Sequence, residues 1–65
     1  MFSYTPLFTL LLQKGLTKTQ LREAVGIGTN TLAKLSKGEY VSMEVLDKIC
    51  NYLDCDIQDV VKHQS

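Results

Sequence analysis

The chain has 65 residues, 45% of them hydrophobic and 22% charged, which suffices for one small core and leaves no room for a second domain. Seven basic residues balance seven acidic ones, so bulk charge by itself points to no polyanionic partner, and the ordinary apolar content excludes a disordered tail. Two cysteines and a lone histidine are too few ligands for a metal centre.

Phe2–Tyr4 offers at most a short extended piece. Thr5-Pro6 reads as a cap followed by proline at the first helical position, and Leu7, Leu10 and Leu11 form an apolar stripe that ends at Gly15. The surrounding "PLFTLLLQKG" has no basic leader and no small-residue cleavage site, so it reads as a buried helix rather than a targeting signal. No run is long enough to span a membrane, and a cytoplasmic protein is expected.

Thr17 opens a second helix with Gln20 at capping-box spacing; Leu21, Ala24 and Val25 supply its inner face and Gly26 stops it. A third helix is expected from about Thr29 to Lys37, with Leu32 and Leu35 inward and Gly38 at its end. Ser42 caps a fourth, whose inner face is Val45, Leu46, Ile49, Cys50 and Leu53. Asp56 caps a short fifth, with Asp59 in its first turn and Ile57, Val60 and Val61 apolar. The expectation is an all-α fold, a compact bundle of five short helices in one domain over residues 1–65. Cys50 sits at core spacing and Cys55 in the link that follows, so both read as free, mostly buried thiols of a reducing compartment.

Charge is distributed unevenly. Up to Gly38, Lys14, Lys18, Arg22, Lys34 and Lys37 oppose Glu23 alone, a net of +4. From Glu39 onward, Lys48 and Lys62 face Glu39, Glu44, Asp47, Asp54, Asp56 and Asp59, a net of −4. A basic face of this kind can meet phosphates while the acidic end stays away.

The segment "VGIGTNT" explains how two of these helices are joined. Gly26 can take the left-handed conformation that ends a helix, Ile27 is the one apolar residue able to plug inward, and Gly28 is a tolerable N-cap. So short a turn forces a steep crossing, the helix-turn-helix arrangement. The same glycines do not make a phosphate-binding loop, because Thr31 stands where a third glycine belongs and a helix precedes them. His63 lies close to the chain end and the acids of the second half read as caps and solvated faces, so no catalytic constellation emerges. No enzyme activity and no cofactor are expected.

These residues resemble the Cro/CI-type (XRE, lambda-repressor-like) helix-turn-helix proteins. That family's twenty-residue unit would run here from Lys18 to Lys37. It wants apolar residues at its fourth, eighth, tenth, fifteenth and eighteenth places and glycine at its ninth; the chain offers Leu21, Val25, Ile27, Leu32, Leu35 and Gly26. "KGLTKTQL", "KGEYVSMEVLDKI" and "LDCDIQDVV" look like the flanking helices, so the resemblance covers nearly the whole chain. One place departs: Arg22 stands where the family usually has a small residue, which leaves the docking angle of the two helices open.

The resemblance implies a sequence-specific double-stranded DNA-binding transcriptional regulator whose recognition helix (29–37) enters the major groove. With Leu32 and Leu35 inward, Thr29, Asn30, Ala33 and Lys34 are the candidate base contacts; Asn30 can grip the adenine edge, and Thr29 or Ala33 can meet a thymine methyl. Thr17, Lys18, Thr19, Gly28, Thr31 and Lys37 are the candidate phosphate contacts. A homodimer on two half-sites is expected, through Tyr4, Phe8 and Leu12 of the first helix or Ile57, Val60 and Val61 of the fifth. The rival reading, favoured by zero net charge, is a protein-interaction module on the same fold without DNA binding.

Overall fold

In the computed structural model, which describes residues 1–64, the chain forms four α-helices: α1 (Thr5–Lys14), α2 (Lys18–Val25), α3 (Thr29–Lys37) and α4 (Met43–Leu53). The fifth helix expected after Asp56 is instead a single 3-10 turn, Ile57–Asp59. Its amides explain why. The Asp59 carboxylate accepts from the Asp56 N–H at 3.1 Å, and the N–H groups of Val60 and Val61 both donate to the Ile57 carbonyl. The chain then extends into β2 (Lys62–His63), leaving too few residues to nucleate an α-helix. β2 pairs antiparallel with β1 (Phe2–Ser3), Phe2 opposite His63 and Ser3 opposite Lys62. The extended piece at the start of the chain thus has a partner near its end.

The core takes a fully buried side chain from each principal element: Leu7 of α1, Leu21 of α2, Leu35 of α3, Ile49 of α4, and Val60 just after the turn. Each such burial favours folding by about 1.5–3 kcal/mol before the entropy of ordering is counted. Three local expectations need correction. α1 begins at Thr5 with Tyr4 as its N-cap, and Thr5 is not the cap; the Ser3 hydroxyl accepts from the Thr5 N–H instead. Ala24 is exposed, because it lies on the flank of the Leu21–Val25 stripe and that flank stays open. Leu32 is only half-buried and lies outside the cluster that Leu35 anchors.

All four helices close in the same way. Each ends on a left-handed residue, and the amide of the following residue reaches back to a carbonyl five positions earlier: Leu16 to Leu11, Ile27 to Arg22, Glu39 to Lys34 and Cys55 to Cys50, at 2.9–3.2 Å. This is the Schellman closure, and it sets the first and last residues of the six side by side. At three ends the left-handed residue is glycine; at the end of α4 it is Asp54, with φ 52°. No helix among the described residues is long and apolar enough to cross a membrane.

Candidate nucleic-acid interface

The start of α2 is closed by a complete capping box. The Thr17 hydroxyl accepts from the Gln20 N–H at 3.1 Å, and Gln20 Oε1 accepts from the Thr17 N–H at 2.8 Å. The first two amides of the helix, those of Lys18 and Thr19, are left pointing outward with the positive end of the helix dipole. Lys18 itself is held, its ammonium 4.5 Å above the Phe8 ring of α1. Thr17, Lys18 and Thr19 are all exposed.

Between α2 and α3 the turn is three residues long. Gly26 is left-handed at φ 78°, and Ile27 is buried between the helices at 8% exposure. Arg22, the departure from the family pattern, is half-buried, and its carbonyl accepts from the N–H groups of both Gly26 and Ile27. Its main chain therefore closes α2, while a long aliphatic stem can lie along the surface with the guanidinium in water.

Gly28 is the extended N-cap of α3 and offers no side-chain acceptor, so the amides of Thr29, Asn30 and Thr31 begin the helix uncapped. No acidic residue occupies the first turn of α2 or α3, and Lys34 and Lys37 lie in the last turn of α3. Thr29, Asn30, Ala33, Lys34 and Lys37 are exposed; Thr31 is half-buried. Among the described residues the one ion pair is Lys48–Glu44 on α4, at 3.3 Å, so Lys18, Lys34 and Lys37 have no carboxylate partner there. A helix face with free amides, one amide side chain, small residues and unpaired ammonium groups can accept a polyanion and hydrogen-bond its edges. Among the described residues no three potential metal ligands converge.

Holding α3 in place is a bond that helical periodicity did not point to. Tyr4 is buried, and its hydroxyl donates to the carbonyl of Glu39, directly after α3, at 2.9 Å. The one signal for it in the sequence is tyrosine rather than phenylalanine at an apolar position.

Neither stripe expected to mediate dimerisation is a free apolar surface. Tyr4 and Val60 belong to the core, Phe8 and Val61 pack against it, and only Leu12 (81% exposed) and Ile57 remain largely open. The short core needs those side chains, because so few residues are available to fill it.

A family model described as the Cro/C1-type HTH DNA-binding domain matches residues 7–65. The chain belongs to that family. None of the curated proteins compared matches it. Among solved structures it is similar to the crystal structure of the transcriptional regulator VanUg, with 48% identity and a TM-score of 0.92, over 94% of this chain and 81% of that one. In this Cro/C1-type domain, α2, the Gly26–Gly28 turn and α3 form the helix-turn-helix.

Proposed function

We propose that the chain is a transcriptional regulator that binds double-stranded DNA sequence-specifically, in the cytoplasm, with α3 lying in the major groove. The observation that carries this reading is the composition of the outer face of α3: Thr29, Asn30, Ala33 and Lys34 stand exposed on a helix whose N-terminus is uncapped and whose lysines are unpaired among the described residues. Asn30 reads adenine through its paired donor and acceptor, Thr29 and Ala33 meet bases at close range, and Lys34 takes guanine or a neighbouring phosphate. Thr17, Lys18, Thr19, Gly28, Thr31 and Lys37 fix the register on the backbone, through free amides at both helix starts and through the two ammonium groups. Two copies bind a two-fold operator with half-sites about one helical turn apart, since one module this small contacts few base pairs.

Selection of tight binders from randomised duplexes at near-physiological salt tests the reading. An enriched, two-fold-symmetric motif is expected, and on that motif Asn30→Ala should cost about 1–3 kcal/mol and relax preference at one position. Weak, salt-sensitive retention with no enriched motif would overturn it in favour of a protein-interaction module.

A further inference from the structure

The two cysteines occupy matched places in one motif. Cys50 is the first residue and Cys55 the last of the Schellman closure that ends α4, and the Cys55 N–H donates to the Cys50 carbonyl at 3.1 Å. That bond caps the Cα–Cα separation at about 7 Å, the outer edge of what a disulfide spans. In this closure the first and last side chains regularly meet. Elsewhere in the chain the corresponding pairs are Leu11 with Leu16, Arg22 with Ile27, and Lys34 with Glu39; only at the end of α4 are both members thiols.

We propose that Cys50 and Cys55 form a reversible dithiol–disulfide site that takes a low-molecular-weight disulfide as oxidant. One cysteine thiolate attacks the small disulfide, forming a mixed disulfide and releasing the first small thiol. The other cysteine, as thiolate, attacks the protein-bound sulfur, forming the Cys50–Cys55 bond and releasing the second. Two protein thiols are oxidised, one small disulfide is reduced to two small thiols, and protons balance. Both thiols are free and half-buried, and they line one open surface hollow of about 280 Å³ beside Asp47 and Asp56, so a small oxidant has access. Partial burial, and after it the carboxylates of Asp47, Asp56 and Asp59, push the Cys50 thiol up, so the attacking thiolate is scarce at neutral pH and exchange is slow there.

The test uses the whole reduced protein, incubated without oxygen in buffers of oxidised and reduced glutathione, then acid-quenched, alkylated and mapped by mass spectrometry. The same titration is run in concentrated urea. Expected is loss of both thiols with a Cys50–Cys55 link within one chain, and an oxidation equilibrium constant about tenfold or more larger for the folded protein than for the unfolded chain. Cys50→Ser should accumulate a glutathione adduct on Cys55, having lost the second thiol. A persistent glutathione adduct on the unsubstituted protein, a link between two chains, or a folded-state constant equal to or below the unfolded one would each overturn the proposal.

Discussion

The ammonium of Lys18 sits 4.5 Å above the Phe8 ring, so the first residue of α2 is tied across to α1 by a cation–π contact. It places a cation beside the free amides that open α2, and it occupies a ring that the apolar stripe of α1 had suggested for dimerisation. A double-mutant cycle on Phe8→Leu and Lys18→Met should return a coupling of about 0.5–1 kcal/mol in urea unfolding. In DNA binding, Lys18→Met should weaken all sequences alike and lower the salt slope by about 1, whereas Phe8→Leu should change the slope little. A sequence-dependent loss at Lys18 would contradict a phosphate role.

The two halves of the Thr17–Gln20 capping box can be separated. Thr17→Ala removes the acceptor for the Gln20 N–H and should cost about 1 kcal/mol, and Gln20→Ala removes the reciprocal bond at smaller cost. Chemical denaturation of both variants and of the double variant measures this; strict additivity would show that the two bonds form independently.

Asp54 holds a left-handed conformation that glycine adopts without steric penalty. Asp54→Gly should therefore stabilise the protein by about 0.5–1 kcal/mol. Gly26→Ala should destabilise it by a similar amount, for conformational reasons alone, because a Cβ there would meet nothing within 4 Å. Thermal unfolding of both variants should move the midpoint in opposite directions.

Tyr4 links stability to pH at the alkaline end. Its hydroxyl must stay protonated to donate to Glu39, and burial pushes its pKa up from the ordinary tyrosine value. Above pH of about 10 the unfolded chain releases this proton while the folded chain keeps it. Stability therefore falls as pH rises through that range, and the contribution is complete below it. Tyr4→Phe should cost about 1 kcal/mol at neutral pH and flatten the alkaline decline. An unchanged alkaline slope in the variant would assign the decline to other groups.

The thiols give a second pH signature. Burial raises both pKa values; Asp47, Asp56 and Asp59 add to the shift at Cys50, while at Cys55 Asp59 raises and Lys14 lowers it. Alkylation by iodoacetamide should keep accelerating with pH beyond the range where an exposed cysteine levels off, and should return to ordinary behaviour in urea.

Local chemistry was legible in the residues themselves. The capping box at Thr17, the left-handed stop at Gly26 and the cap at Ser42 are all decided by neighbours within four positions. The exposed face of α3 was likewise read by placing Leu32 and Leu35 inward and counting round the helix, although only Leu35 is fully buried. Ala24 and Leu32 show the limit of counting: periodicity says which side of a helix a residue occupies, but not whether another element covers it.

What only the tertiary structure decided joins residues far apart in the chain. Phe2 and Ser3 pair with His63 and Lys62, and Tyr4 bonds the carbonyl of Glu39. Two-residue strands carry no alternation to detect, and their pairing is stable only because the helices bring the chain ends together. The same pairing takes Lys62 and His63 into a strand, so the apolar residues before them form a single 3-10 turn and fill the core with Val60 instead of completing a helix.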